Sequence, residues 1–466
     1  MRDIIAHKHI DMELRLYNTL TRSKDAFVPI EAGKVGLYTC GFTVYDYAHI
    51  GNLRSYIFAD ILKRALIYSD YKVNHIENIT DVGHLVGDGD EGEDKMEVGA
   101  RKSGKSALEI AKYYTEVFKN DLEKSNVLSP TIWAPATEFI TEQIEFIKNL
   151  EEKGFAYKIT DGLYFDTSKL SDYGKLAMLD LANLKEGARL EKNPEKRNPT
   201  DFCLWRAHDG KREMKWESPW GVGIPGWHIE CSTISTKFLG ERFDIHTGGI
   251  DHIPVHHTNE IAQNEARFGH KVVNFWLHND FMTINGSRMA KSVGNIYTLD
   301  DVEKRGFSPM ALRYLYLGTH YRQKLNFTWE ALESAQNSYN KLVRQLADGP
   351  SKQLGGLASK LQTEFESAIA DDLNTPRALA ELWEVAHNPP LAYQFDKVLG
   401  LGLEKAVTDY NKSQSDVPIE VSKLASEREE ARKSQDWIQA DILRERIASL
   451  DWSVEDSPAG QRLTHK

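Results

Sequence analysis

Residues 35–52, VGLYTCGFTVYDYAHIGN, decide the fold class of this 466-residue chain. The apolar run that begins at Val35 predicts a short strand ending at a glycine, and residues 42–71 carry apolar side chains at helical spacing. Residues 71–81, YKVNHIENITD, predict a second strand. A strand, a glycine-bearing turn, a helix and a strand make a βαβ unit, so we expect an α/β fold built on a doubly wound, Rossmann-type parallel sheet.

The remainder of the chain divides by composition and periodicity. Residues 105–155 predict helices, residues 156–225 a strand- and turn-rich insertion, and residues 226–283 a second strand-helix region. Beyond Phe307 the pattern is helical, with amphipathic runs near 308–317, 327–347, 355–371 and 375–387, a linker at 408–420 and two further helices at 421–450. We therefore expect a domain inserted into the sheet domain, an all-α bundle after it, and a small C-terminal domain.

Composition excludes several classes of protein. With 41% hydrophobic and 27% charged residues the chain is globular, its first residues are too charged for a signal peptide, and no segment approaches the ~20 apolar residues of a membrane span, so we expect a cytoplasmic protein. Cys40, Cys203 and Cys231 are too few and too far apart for a disulfide framework. The net charge of −11 gives no overall basic footprint for nucleic acid, although a local patch could still bind one.

Two separate motifs suit the binding of phosphate. In YAHIGN, His49 and Asn52 lie where a strand gives way to a helix, beside N–H groups that attract phosphate. The loop RMAKSVGN at 288–295 places Lys291 and Ser292 in a flexible cationic segment that suits a clamp on a polyphosphate. Each motif alone is more typical of a structural turn or a solvated loop, but the two together are specific.

A cluster of histidines suggests a metal site. Residues 248–260, GGIDHIPVHHTNE, hold three histidines and two carboxylates. A helix that begins at the proline places His256 and Glu260 on one face as two potential ligands, whereas His257 is rotated away by about 100°. His252 is a candidate third ligand by proximity, and a helix-surface cluster without metal fits the spacing equally well. The motif is not H-E-x-x-H, so the chemistry of a zinc peptidase is excluded.

The paired phosphate motifs resemble those of the class I aminoacyl-tRNA synthetases, in which His-Ile-Gly-His and Lys-Met-Ser-Lys-Ser sequences catalyse amino-acid adenylation. Within that class, most of the chain is similar to the cysteinyl-tRNA synthetases. The segments that carry this similarity are YTCGFTVYDYAHIGNLRSY (38–56), NITD (78–81), GLYFD (162–166), KRNPTDFCLW (196–205), WESPWGVGIPGWHIECS (216–232), IHTGGIDHIPVHHTNEIAQ (245–263), MAKSVGN (289–295) and DDLNTPRAL (371–379).

The resemblance implies a domain order. The expected regions are the first half of the Rossmann catalytic domain (1–135), a connective insertion (136–225), the second half of the catalytic domain (226–283), a stem-contact region with the Met-Ala-Lys-Ser loop (284–326), a helical anticodon-binding bundle (327–410) and a C-terminal tRNA-binding domain (411–466).

The resemblance also implies the site residues. One zinc per chain would be held by Cys40, Cys231, His256 and Glu260, a set of S, N and O donors that zinc accepts, with His252 as a bystander. The implied catalytic residues are His49, Asn52, Lys291 and Ser292. The implied ATP-binding residues are His49, Gly51, Asn52, Gly248 and Lys291, and those around the cysteine or its adenylate are Gly41, Thr80, Trp227, His246 and Asp251.

The implied reaction is the ATP- and magnesium-dependent activation of L-cysteine to cysteinyl adenylate, followed by transfer to the 3′ end of tRNA(Cys) by a monomeric enzyme. Zinc would bind the substrate thiolate and so discriminate against serine. Asn52, Phe42 and Ala290 depart from the usual pattern, which affects the expected rate and not the type of reaction. The alternative is the related ligase that joins cysteine to an amino sugar in mycothiol synthesis, which lacks the full C-terminal extension.

Overall fold

The computed structural model describes residues 13–82, 106–179, 193–208, 210, 212–290, 293–349, 355–415, 417–457 and 460–465. Its strands are β1 (Arg15–Asn18), β2 (Ser23–Ala26), β3 (Lys34–Thr39), β4 (Lys72–Ile79), β5 (Ile132–Pro135), β6 (Ala156–Ile159), β7 (Gly162–Phe165), β8 (Phe202–Ala207), β9 (Gly223–Pro225), β10 (Phe243–Gly249), β11 (Val273–Asn279), β12 (Met282–Ile284), β13 (Ser287–Arg288), β14 (Leu325–Phe327), β15 (Trp452–Ser457) and β16 (Gly460–His465).

The α-helices of the described residues are α1 (Ile50–Tyr68), α2 (Ala107–Lys124), α3 (Ile140–Glu152), α4 (Trp227–Leu239), α5 (Thr258–Phe268), α6 (Leu299–Lys304), α7 (Pro309–Leu317), α8 (Trp329–Ala347), α9 (Leu357–Ala370), α10 (Thr375–Glu384), α11 (Pro389–Leu399), α12 (Leu403–Ser415), α13 (Ile419–Lys433) and α14 (Trp437–Ser449). Within the described ranges, no helix is both long enough and apolar enough to cross a bilayer.

The central sheet has five parallel strands in the order β11-β10-β3-β4-β5. The chain leaves β3 in one direction, through β4 to β5, and later returns on the other side of β3 to form β10 and β11. The strand order therefore reverses between β3 and β10, and ligands of such sheets bind at the carboxyl ends of the strands at this point. The expected Rossmann-type parallel sheet is confirmed.

The first helix starts later than the sequence pattern predicts. Residues 42–71 carry helical spacing, but α1 begins only at Ile50. The intervening chain extends the pairing of the sheet, because the Thr80 N–H donates to the Phe42 carbonyl and the Val44 N–H donates to the Thr80 carbonyl. Tertiary pairing here overrides a local helical pattern.

The predicted insertion contains a second sheet, and β5 forms one edge of the central sheet. Strands β6, β7, β8 and β9 form an antiparallel sheet within the predicted turn-rich segment. The prediction of helices throughout 105–155 is wrong at β5, which pairs with β4 at the sheet edge. A four-residue apolar strand cannot be distinguished from a helical segment by periodicity alone.

The C-terminal half is helical, from α7 to α14, and ends in the β15-β16 hairpin. The predicted linker at 408–420 is wrong over much of its length, because α12 runs to Ser415. The start of α12 is anchored by Asp396, whose carboxylate accepts hydrogen bonds from the N–H groups of Leu401 (2.6 Å) and Leu403 (2.8 Å). The second half of α12 is polar, so the sequence pattern did not indicate a helix there.

A buried ion pair joins α1 to the helical region. The Asp60 carboxylate, whose side chain is fully buried, accepts hydrogen bonds from Arg64 Nε (2.7 Å) and Arg313 Nη2 (2.5 Å), and also from the Leu128 N–H (2.8 Å). Burial opposes the charge, but Arg313 and Arg64 outweigh it and lower the pKa of Asp60. Arg313 Nε also donates to the Leu399 carbonyl, so this cluster holds α1 against α7 and α11.

Candidate active site and metal centre

Three of the predicted site residues lie at the carboxyl ends of the central strands. Cys40 follows β3, Thr80 follows β4, and His246 belongs to β10, so three neighbouring strands bring them to one edge of the sheet. This is the edge at which the strand order reverses, where open α/β sheets bind their ligands.

Four side chains converge there with the spacing of metal ligands. The ligand atoms of Cys40, Cys231, His256 and Glu260 all lie within 4.8 Å of one another, and all four residues are buried. Cys40 Sγ is 3.8 Å from Cys231 Sγ and 3.7 Å from Glu260 Oε1, and His256 Nε2 is 3.1 Å from Glu260 Oε1. A tetrahedral zinc with Zn–S bonds of about 2.3 Å and Zn–N or Zn–O bonds of about 2.0–2.2 Å holds its ligand atoms roughly 3.3–3.8 Å apart. The residues present therefore fit a zinc ion.

The helical turn that carries the histidines differs from the prediction. Residues Ile253–His257 form a π-helical turn, and α5 begins only at Thr258. A π-turn is wider than an α-turn, so neighbouring side chains are separated by a smaller angle. His257 Nε2 nevertheless lies 3.2 Å from Cys40 Sγ, so the prediction that His257 points away is wrong.

Further imidazoles surround the four potential ligands. His246 Nε2 lies 2.9 Å from Glu260 Oε2, the oxygen that does not face the cysteines, and His228 Nδ1 lies 2.9 Å from His256 Nδ1. Such contacts fix the orientation of metal ligands in proteins. Cys40, His246, His257 and Glu260 form a second group within 4.8 Å. Neither of the two groups found among the described residues includes His252, whose ring centre is 5.1 Å from that of His256.

The electrostatics of the cluster favour a cation. Burial opposes ionisation of Cys231, but a hydrogen bond from Cys40 and the neighbouring His256 lower the pKa of its thiol to about 7. Burial also opposes the charge on His256, yet its contacts with Cys231 and Glu260 raise its pKa to about 10. Burial and four neighbouring imidazoles lower the pKa of His257 well below its usual range. Because metal ligands must be deprotonated, binding of a metal at this cluster would be coupled to the release of protons.

The first phosphate motif, YAHIGN, contains the start of α1. His49 is the N-cap residue: its Nδ1 accepts a hydrogen bond from the Asn52 N–H (3.1 Å), and the Asn52 Oδ1 accepts one from the His49 N–H (3.1 Å). A neutral imidazole that accepts at Nδ1 carries its proton at Nε2, where it can donate. Asn52, which departs from the usual pattern of the family, thus completes a reciprocal cap of the helix.

A cavity of about 640 Å³ brings the two phosphate motifs together. His49, Gly51 and Asn52 line one side and Arg288 and Met289 line another. The contact is close, because a Cβ at Gly51 would lie only 2.2 Å from Met289 Cε. Lys291 and Ser292 fall outside the described residues.

The chain that follows β10 lines the cavity before it reaches the metal cluster. Asp251 and Gly249 line the cavity, whereas Gly248, which was expected there, is packed against histidines: a Cβ at Gly248 would lie 2.6 Å from His257 Cε1. The Trp227 ring lies 4.4 Å from that of His256, between centres. The segment after β10 therefore contributes both to the cavity, through Gly249, Asp251 and Pro254, and to the cluster, through His256.

Sequence reasoning missed Arg54, a buried residue of α1. Its guanidinium donates to the carbonyls of Asp280 (2.9 Å), Phe281 (2.8 Å), His320 (3.3 Å) and Gln323 (2.6 Å). Asp280 and Phe281 line the cavity. No motif signals this role, because all four partners are backbone atoms.

Comparison with known proteins identifies the family. Residues 26–337 match the model described as the tRNA synthetases class I (C) catalytic domain. The chain is 49% identical to cysteine–tRNA ligase 1 of Burkholderia lata over 97% of both chains, and 44% identical to the cysteine–tRNA ligase of Treponema denticola over 96% of this chain and 98% of that one. The chain belongs to the cysteinyl-tRNA synthetase family. It is therefore a ligase of the class I tRNA synthetases, as the motifs predict.

Solved structures of other class I synthetases share the fold of this synthetase. Mycobacterium tuberculosis methionyl-tRNA synthetase bound by methionyl-adenylate superimposes with a TM-score of 0.57 at 14% identity, covering 83% of this chain and 95% of that one. A leucyl-tRNA synthetase of Agrobacterium radiobacter K84, in a ternary complex with tRNA, gives 0.59 at 12% identity, with coverages of 82% and 85%. At these identities the likeness shows the fold alone.

Proposed function

We propose that this synthetase activates L-cysteine with ATP to form cysteinyl adenylate and transfers the cysteine to the 3′ end of tRNA(Cys). Relatives named cysteine–tRNA ligase, 39–49% identical over nearly the whole chain, support this substrate. The observation that carries the proposal is the set of two sulfurs, one nitrogen and one oxygen within 4.8 Å of one another, in a fold whose cavity is lined by His49, Asn52 and Arg288 of the two phosphate motifs.

The adenylation step uses donors at the start of α1. In the proposed reaction the cysteine carboxylate attacks the α-phosphate of ATP. The His49 imidazole, with its proton at Nε2, and the N-terminal N–H groups near Gly51 and Asn52 stabilise the charge that develops on the phosphate. We assign Lys291 and Ser292 to the departing pyrophosphate, and magnesium to the ATP phosphates. No covalent enzyme intermediate is required.

Recognition of cysteine rests on the metal centre. Zinc, when bound, supplies a Lewis acid that prefers a thiolate sulfur to the hydroxyl oxygen of serine. Cys40, Cys231, His256 and Glu260 would hold it, and His246 orients Glu260 through the oxygen that faces away from the cysteines. We further assign Gly41, Thr80, Trp227 and Asp251 to the surroundings of the substrate or its adenylate. On this proposal no editing site is needed.

A tRNA acceptor is favoured over an amino sugar. The C-terminal residues from Ile419 onward form two helices and a hairpin with their own apolar core, including Val421, Leu443 and Trp452. The similarity to relatives named tRNA ligases extends over 97% of the chain, so it includes this part. We propose that the enzyme works as a monomer in the cytoplasm, where its substrates are.

The test separates the two acceptors. Cysteine-dependent exchange of pyrophosphate into ATP should occur without tRNA, and charging of tRNA(Cys) should then follow. Ligation of cysteine to an amino sugar, with no charging of tRNA, would favour the alternative. Absence of cysteine-dependent exchange would contradict both.

A further inference from the structure

One buried amide links the metal centre to the substrate side of the sheet. Asn78 lies near the end of β4 and is fully buried. Its Oδ1 accepts hydrogen bonds from the Gly41 N–H (2.7 Å) and the Tyr38 hydroxyl (3.1 Å), and its Nδ2 donates to Thr80 Oγ1 (3.0 Å). A backbone N–H can only donate, so the contact with Gly41 fixes which way the amide faces.

The turn after β3 is packed tightly on this residue. A Cβ at Gly41 would lie 1.5 Å from the Asn78 carbonyl oxygen, so the turn can approach β4 this closely only with glycine. Cys40, one of the four converging residues, directly precedes Gly41. The position of the Cys40 sulfur therefore depends on a turn that the Asn78 side chain tethers.

The same oxygen faces the second cysteine. Asn78 Oδ1 lies 3.7 Å from Cys231 Sγ, in addition to its contacts with the Gly41 N–H and the Tyr38 hydroxyl. The amide therefore contacts both the turn after Cys40 and the second converging cysteine. On its other side, Thr80 Oγ1 accepts from Asn78 and is thereby left to donate its own proton towards a ligand.

We propose that Asn78 is a positioning residue that holds Cys40 at metal-binding distance through the Gly41 turn and sets the direction of the Thr80 hydroxyl. The part that concerns Thr80 rests on the proposed function, because Thr80 is assigned there to the cysteine site. The part that concerns the metal does not, because metal affinity is measured without turnover.

The experiment compares three variants in zinc competition titrations with a chromophoric chelator. Asn78→Ala leaves the Gly41 N–H and the Tyr38 hydroxyl without their acceptor, and we expect zinc affinity to fall about 10- to 100-fold, as for other residues that support metal ligands. Asn78→Asp keeps an acceptor for both donors but loses the donor to Thr80. We expect it to retain zinc and to raise KM for cysteine in pyrophosphate exchange more than it changes kcat.

The matched control is Asn18→Ala. Asn18 is equally buried and its side chain makes three hydrogen bonds, to backbone atoms of Leu20, Asn274 and Trp276, none of which is a converging ligand. The proposal is overturned if Asn78→Ala binds zinc as tightly as the wild type, or if Asn18→Ala loses as much affinity. Wild-type protein that binds zinc but shows no cysteine-dependent exchange would contradict the proposed function and leave the titration result standing.

Discussion

Replacing Cys231 by alanine is the sharpest test of the role of the metal centre. The change removes one of four converging ligand atoms, the sulfur 3.8 Å from Cys40 Sγ, and keeps the ligand atoms of Cys40, His256 and Glu260. The cavity walls formed by the two phosphate motifs do not include Cys231. The variant therefore alters the cluster and leaves the groups assigned to adenylation in place.

The expected loss of selectivity for cysteine over serine follows from the groups that remain after the substitution. With one tetrahedral corner missing, we expect zinc affinity to fall by more than the 10- to 100-fold that loss of a supporting residue typically costs. Without the metal, only the shape and polarity of the pocket distinguish cysteine from serine. Pockets discriminate such small differences by about 10- to 200-fold, or roughly 1.4–3 kcal/mol. The ratio of kcat/KM for cysteine to that for serine should fall into this range.

The assay is pyrophosphate exchange driven by cysteine or by serine, with the zinc content of each preparation measured alongside. Cys203→Ala is the matched control, because Cys203 is also buried but packs with Tyr157 and Tyr164 and belongs to neither ligand group. It removes the same atom and should keep both zinc and selectivity. A Cys231→Ala protein that has lost its zinc and still prefers cysteine as strongly as the wild type would refute the reasoning.

Three further predictions address the scaffold. Arg54→Met removes four hydrogen bonds worth about 1 kcal/mol each and should lower the free energy of unfolding by about 4 kcal/mol. Because two of the acceptors line the cavity, KM for ATP in pyrophosphate exchange should also rise more than KM for cysteine; equal increases would contradict a role at the nucleotide wall. Gly41→Ala forces an overlap with Asn78 and should lower the free energy of unfolding by about 1–3 kcal/mol or more and reduce zinc content; normal melting and metal content would contradict the close approach. Asp60→Asn leaves Arg313 underpaired and should cost about 3–5 kcal/mol at pH 7, measured by thermal melting. Because the folded pKa of Asp60 is lowered, its stabilisation is present above the unfolded pKa of about 3.9 and is lost as pH falls, so the melting temperatures of the variant and the wild type should converge in acid and differ at pH 7.

The sequence predicted the sheet and the family because both depend on short-range patterns. An apolar run followed by Gly41, a helix and a second apolar run define a βαβ unit whatever lies around them. Where the outcome depended on pairing across the molecule, prediction failed. Residues 42–44 belong to a segment with helical spacing but pair with Thr80, and β5 has a helical pattern but pairs with β4.

In the candidate site, too, local spacing predicted some features correctly, whereas contacts between distant segments were missed. The spacing of His256 and Glu260 predicts two groups on one helical face, and the structure places their ligand atoms 3.1 Å apart. His257 was misplaced because spacing along its own helix says nothing about Cys40, which approaches it from a segment 217 positions away. Arg54 and Asn78 were missed because their partners are supplied by distant segments of the fold.

The origin of the four converging residues explains why the site forms only in the folded protein. Cys40 ends a strand, Cys231 lies on α4, and His256 and Glu260 come from the turn and helix after β10, so three segments separated by up to 220 positions must be in place together. Glu260 and His256 are in turn contacted by His246 of β10 and His228 of α4. A metal that binds this set stabilises the reversal point of the sheet itself, because it joins the end of β3 to the segment after β10. The same geometry that positions a thiolate would therefore also lock the two halves of the catalytic sheet together.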